Sequence, residues 1–338
     1  MLKNIKSNLI MIVIFKNLKN KRKLKIVKYN KKIKNRINIT EINIHQYEIL
    51  EEFNNKYKTN IEDIDIKELN IYRKNIGNDG LKNLFKINFK KLSHLNLGMN
   101  ELSDINVLEN PNLKNLKELN LFLNQISDLN ILEKISLENL ENLNLSNNKI
   151  SNINILEKVN FKNLKELYLG CNEISDIKVL GNVNFENLEI LKLGGNISNI
   201  NILEKVNFKE LKILDLCMNK ISNIKVLEYV KFEKLEKLDL GCNKISDINV
   251  FDKVDFKELK VLYLQSNKIS DVWVLENVKF DKLKLLHLSG NEISDINVFK
   301  YVTFPKLENL YLHNNRIIDE NNESLILELK SKIKRFYI

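Results

Sequence analysis

Leu235-Glu236-Lys237-Leu238-Asp239-Leu240-Gly241-Cys242-Asn243-Lys244-Ile245-Ser246-Asp247-Ile248, continuing through Phe251 and Val254 to Phe256, decides the fold of this 338-residue chain. Leu238 and Leu240 alternate with period two, so they read as a short strand with both side chains turned inward. Ile248, Phe251 and Val254 follow at steps of three, the spacing of one or two turns of 3₁₀- or α-helix. Asp247, directly ahead of that stretch, is placed to cap it. Phe256 and Leu259 return the chain to the next strand.

Outward from this unit the phrase L-x-L-x-x-N recurs, closed by Asn100, Asn124, Asn148, Asn172, Asn196, Asn219, Asn243, Asn267, Asn291 and Asn315, at intervals of 24 residues except 23 between Asn196 and Asn219. A fixed period of this length means stacked units, each burying its face only against its neighbours. Each Asn falls where the chain turns off a strand and backbone groups face inward. One amide offers two donors and two lone pairs, enough to bond the backbones of adjacent units. All ten, Asn196 included, are therefore expected in one buried ladder. The unit closed by Asn196 runs straight on to Ile197, lacking the residue that is Lys, Glu, Gln or Arg elsewhere, and is expected to change the local turn. A second column holds Phe89, Phe161, Phe185, Phe208, Phe232, Phe256, Phe280 and Phe304, with Leu113 and Leu137 in the gaps, and reads as a stacked spine. Ser-Asp or Ser-Asn pairs, from Ser103-Asp104 to Ser294-Asp295, occur in nine units and read as turn and cap chemistry.

This pattern, carried by Leu143-Asn144-Leu145-Ser146-Asn147-Asn148-Lys149-Ile150 and its nine sisters, resembles the leucine-rich-repeat family over about Leu69 to Asp319. The I-S-D-I-x-x-L continuation is similar to the repeats of type-1 protein phosphatase regulatory subunits and of bacterial internalins, here with longer units of 24 residues. The resemblance implies an α/β right-handed solenoid, a horseshoe with a concave parallel β-sheet that binds a protein and short helical turns on the convex side.

Residues flanking and between the leucines point to the concave face. The middle column runs Asn96, Asn120, Asn144, Tyr168, Lys192, Asp215, Asp239, Tyr263, His287 and Tyr311. The flanking columns add Phe122, Ile190, Ile213, Val261, Leu285 and His313. From Tyr168 onward the column turns aromatic, charged and variable, and aliphatics stand where a solvated strand prefers polar groups. Exposed apolar and aromatic side chains on a rigid surface mark an interface core, although β propensity alone also favours Tyr, Ile and Val. The members of these columns from Tyr168 to His313, on the fourth to tenth units, together with Phe122, are the expected partner-binding set. Asp215 and Asp239 occupy equivalent places in adjacent units; a carboxylate pair suits acid/base work or a cation, but Lys192 and Lys237 nearby favour a solvated charge cluster. Trp273 replaces the usual Asn or Lys and is expected near the outer rim.

No phosphate-binding loop, G-x-G-x-x-G, H-E-x-x-H or Ser-His-Asp ordering is present, and His45, His94, His287 and His313 are the only histidines. The expectation is a non-catalytic, monomeric binding scaffold without cofactor or metal. Cys171, Cys217 and Cys242 form no paired cap set, and the N-x-[ST] match at Asn196 falls on a residue expected to be buried; both favour an intracellular location, cytoplasmic or nuclear. Of the net charge of +10, residues 1–40 contribute +13, leaving −3 for the rest. This tail is either a solvated low-complexity extension or a targeting or polyanion-binding arm for nucleic acid or anionic lipid. Residues 41–68 are expected to form a helical N-terminal cap, 69–319 the solenoid (one degenerate unit and ten regular ones), and 320–338 a C-terminal cap, with a helix over Asn322–Lys332 and a last strand after it. A regulatory subunit of a type-1 phosphatase, nucleic-acid or membrane contact through the tail, and a surface-displayed, internalin-like adhesin are the alternative functional readings.

Overall fold

The computed structural model describes residues 41–338 together with Ile10, Val13 and Leu18. The readings of the tail therefore lie outside the described residues. No helix among those described is long and apolar enough to cross a membrane. The chain forms two compact units, Met1–Ile126 with Lys134–Leu137, and Ser127–Glu133 with Glu138–Ile338.

In the first unit, α1 (Glu41–Tyr57) precedes β1 (Glu68–Asn70), α2 (Gly77–Leu84), β2 (His94–Asn96) and β3 (Glu118–Asn120). The strands are parallel and in register, with Leu69, Leu95 and Leu119 opposite one another. Leu50 and Phe53 of α1 are buried, and the helix packs against α2, where the Tyr57 ring lies against Gly80.

The second unit carries nine strands: β4 (Asn142–Asn144), β5 (Glu166–Tyr168), β6 (Ile190–Lys192), β7 (Ile213–Asp215), β8 (Lys237–Asp239), β9 (Val261–Tyr263), β10 (Leu285–His287), β11 (Asn309–Tyr311) and β12 (Arg335–Tyr337). They pair in sequence order, all parallel. In each strand from β4 to β11 the central Leu is buried. Its neighbours lie half-buried on the opposite face, except Asp239, which is buried as well. Parallel strands need a crossover, and 3₁₀ turns such as Lys225–Glu228 and Asn249–Asp252 supply part of it. Each of the nine expected caps forms: the Asp or Asn carboxyl or amide oxygen accepts the N–H two residues on, from Asp104 to Asn106 (2.9 Å) through to Asp295 to Asn297 (2.8 Å). Helix α3 (Asp319–Lys332) starts three residues ahead of the expected helix and leads into β12.

The spine is buried throughout, and Phe161, Phe185 and Phe208 stack at centroid spacings of 6.4 and 6.5 Å. The ladder forms as a repeated set of bonds. Asn267 donates from Nδ2 to the carbonyls of Leu240 (2.9 Å) and Leu264 (3.1 Å) and accepts the Ile245 N–H at Oδ1 (3.0 Å). The residue before the ladder Asn is left-handed in nine units: Met99, Leu123, Asn147, Cys171, Met218, Cys242, Ser266, Gly290 and Asn314 all have φ between 51° and 65°. Only one of these is glycine. The conformation costs roughly 1 kcal/mol for an ordinary L-residue, so the ladder bonds must outweigh it.

Asn196 is a correction to the ladder. Its N–H bonds Ile174 O at 2.9 Å, as the N–H of Glu173 bonds Ile150 O and that of Lys220 bonds Ile197 O. Asn196 therefore occupies the place after the ladder Asn, and Gly195 stands on the rung. The Ile174 N–H lacks the Asn Oδ1 acceptor that Ile150 and Ile197 have. Ile197 is fully buried, whereas Asn196 is half-buried. The missing residue is absorbed on the strand side because keeping an Ile side chain in the core contributes about 1.5–3 kcal/mol. A Cβ on Gly195 would sit 2.5 Å from Asn172 O, so this closed-up rung admits glycine alone. Inserting one Lys between Asn196 and Ile197 is expected to move Asn196 onto the rung and to stabilise the protein by about 1–3 kcal/mol. A denaturation midpoint that falls on insertion would refute this account.

Candidate functional site

The face formed by the strand-flanking residues of β5 to β12 gathers most of the expected partner-binding set into three groups. Nearest β5, Tyr168 donates its hydroxyl to Glu166 (2.8 Å), and the Lys192 ammonium lies 5.4 Å from its ring centroid. Burial, then the bond to Glu166, push the Tyr168 phenol well above its ordinary range. Ile190 and Ile213 are register neighbours beside it, half-buried.

The second group is charged. Asp215 and Asp239 are register partners on β7 and β8. Each carboxylate accepts the N–H two residues on, from Cys217 and Gly241, both at 3.1 Å. Asn96, Asn120 and Asn144 make the same bond earlier in the column, so the column selects Asx residues for their backbone bond. Asp239 is only 8% exposed, and burial raises its pKa. Burial and the Asp215 charge push the Cys217 thiol up to about 12. Ligand-type atoms of Asp215, Cys217 and Asp239 lie within 4.8 Å of one another, a spacing that a cation could span. The Lys237 ammonium, 4.0 Å from Asp239 and 4.7 Å from the Tyr263 ring centroid, already offsets the charge there.

The third group is aromatic. Tyr263, His287 and Tyr311 follow one another on β9, β10 and β11 with centroids 5.9 and 4.6 Å apart, and His313 stands edge-on to His287 at 6.0 Å. Burial, then His313, hold His287 below its ordinary pKa. Val261 and Leu285 are register neighbours at the strand-start side of the same row. Sequence reasoning missed Tyr337, which extends the row by stacking on Tyr311 at 5.1 Å and 3°. Its strand was expected, but it carries no L-x-L-x-x-N phrase to fix the register that sets Tyr337 beside Tyr311. Phe122 belongs to the first unit, where its carbonyl accepts the Met99 N–H (2.9 Å), and is not part of these three groups.

Away from this face, Trp273 donates its indole N–H to Asp295 (3.2 Å) and packs against Tyr301 with centroids 6.2 Å apart; both rings are exposed. Cys171, Cys217 and Cys242 are free thiols.

Sequence models of leucine-rich repeats match residues 138–182 and 209–253, and a single-repeat model matches 112–129. No curated protein sequence matches the chain. Among solved structures, an internalin from Listeria monocytogenes is 25% identical over 85% of this chain and 87% of its own, with a TM-score of 0.63. A leucine-rich-repeat protein of Leptospira interrogans is 23% identical, covering 76% of this chain and 74% of its own, with a TM-score of 0.54. A plant peptide hormone receptor in complex with RGF2 shares the fold at 19% identity and a TM-score of 0.50, covering 70% of this chain and 42% of its own. Register, ladder and spine run through the matched repeats and continue beyond them: the chain folds as a leucine-rich-repeat solenoid.

Proposed function

We propose that this protein is a non-catalytic scaffold that binds a protein partner on the concave face of β5 to β12. The observation that carries the reading is the half-exposed aromatic row Tyr263, His287, Tyr311 and Tyr337, held on adjacent strands about 4.8 Å apart. Parallel strands pinned by a buried ladder supply a preorganised surface, so little ordering entropy opposes binding. Aromatic anchors of this kind carry most of the energy in protein interfaces. The plant receptor of the same fold is a peptide hormone receptor, which supports a protein partner without naming one. An intracellular location belongs to this reading, because Cys171 and Cys242 are exposed free thiols of the kind a reducing compartment preserves.

The test is affinity capture with mass spectrometry on the full chain and on a Tyr263→Ser/Tyr311→Ser variant. Capture of specific partners is expected to drop by about tenfold or more, as for the loss of aromatic hot spots. An unchanged partner set would remove the concave face from consideration.

A further inference from the structure

Charges along the strand-start rim of the second unit follow a rule that breaks once. The residues just ahead of β4 to β12 are Glu141, Lys165, Glu189, Lys212, Glu236, Lys260, Lys284, Glu308 and Lys334. Acid and base alternate, and the structure pairs them: Lys165 with Glu141 (2.7 Å), Lys212 with Glu189 (2.6 Å), Lys260 with Glu236 (2.8 Å) and Lys334 with Glu308 (3.1 Å). Lys284 follows Lys260 where an acid is due, and it makes no ion pair among the described residues. Arg335, at the start of β12, is exposed and makes none either. The register places Leu285, Asn309 and Arg335 side by side, so Lys284 and Arg335 flank β11 from the first and third of three adjacent strands, about 10 Å apart at the backbone.

The neighbouring surface explains what such cations could meet. Three residues after Lys284 and two after Arg335, His287 and Tyr337 stand in one register row with Tyr311. No carboxylate occurs among the strand residues of β9 to β12. Glu308 holds Lys334 and Glu236 holds Lys260, so Lys284 and Arg335 are the cations on this stretch of rim without an ion pair among the described residues. A nucleic acid would need a broad basic stripe to neutralise successive phosphates. Glu141, Glu189, Glu236 and Glu308 interrupt any such stripe here. Two isolated cations at the edge of an aromatic shelf instead match side-chain carboxylates placed next to an apolar residue.

We propose, building on the concave-face reading, that the partner docks through an extended acidic segment. It lays an aromatic or aliphatic side chain on His287, Tyr311 and Tyr337 and sets Asp or Glu carboxylates against Lys284 and Arg335. The cations act at the rim, where charge steers encounter and selects partners, while the rings supply most of the contact energy.

A random 12-mer peptide library displayed on phage and selected against the immobilised full-length protein tests this. Selected peptides are expected to carry Asp or Glu within a few residues of an aromatic or aliphatic side chain. Their affinity is expected to fall about tenfold in a Lys284→Glu/Arg335→Glu variant and to weaken with added salt. Replacing the peptide's acids with Lys should restore binding to that variant and abolish it with the wild type. Both substituted positions are exposed, so the variant's unchanged thermal midpoint serves as the folding control, and Lys284→Met repeats the test without a reversed charge. Loss of binding in Tyr263→Ser/Tyr311→Ser with no effect of charge reversal would keep the concave surface and overturn the acidic segment. Indifference to both variants would overturn both readings, as would a library that yields no peptide sensitive to either.

Discussion

Phe185→Ala is expected to lower the stability of the second unit by on the order of 3–5 kcal/mol. The ring is 1% exposed and lies between Phe161 and Phe208, with centroids 6.4 and 6.5 Å away. Both neighbours are held by their own repeats, so neither can move far enough to fill the space. The cost is then the lost transfer energy plus an open cavity, not the transfer energy alone. Phe185→Leu should recover most of the loss, because Leu113 and Leu137 occupy the same column and are buried there. Urea unfolding of the three proteins measures this. An Ala variant that loses less than about 1 kcal/mol would mean that the spine relaxes freely, contrary to close packing. Because each repeat contacts only its neighbours, the transition should also broaden, as the chain on either side of the defect unfolds less cooperatively.

Asn172→Leu is expected to cost a similar amount for an electrostatic reason. The Asn172 amide donates to the carbonyls of Leu145 and Leu169, both at 3.0 Å, and accepts the Ile150 N–H at 3.0 Å. The residue is 7% exposed, so water cannot replace these bonds. Each buried group left unpaired costs about 1–3 kcal/mol, and three such groups in one place total about 3–5 kcal/mol because such costs do not add fully. Asn172 also adjoins the rung occupied by Gly195, so its loss would remove two successive amides from the ladder. Asn315 makes an equivalent pair of donations, to Leu288 and Leu312, but is only half-buried. Asn315→Leu should therefore be the milder change, and equal midpoint shifts for the two variants would argue against burial as the cause.

Periodic features were legible because they repeat one local problem. Each unit must turn off a strand, cap a 3₁₀ turn and return an aromatic to the core. Nine of the ten ladder asparagines and all nine Asp or Asn caps sit where their spacing put them. The left-handed residue before each ladder Asn was not legible, since Met99, Leu123, Cys171 and Met218 carry no mark of a positive φ. That conformation is imposed by the bonds around it, not preferred by the side chain.

The candidate site divides the same way. Which residues stand on the exposed side of each strand follows from period two alone, so Tyr168, Lys192, Tyr263, His287 and Tyr311 were identifiable. What they do to one another was not. Tyr337 joins the aromatic row only because β12 pairs with β11 in register. Lys284 becomes an unpaired cation only because Glu236 already holds Lys260 and Lys334 already holds Glu308.

By itself, the sequence determined the solenoid, its period and the inward and outward face of every strand, since these depend on patterns within a single unit. Tertiary structure alone decided the occupant of the rung at Gly195 and the pairing of charges along the rim. There two residues compete for one place, and the energies that settle the contest, burial of Ile197 in one case and ion-pair geometry in the other, come from neighbouring repeats.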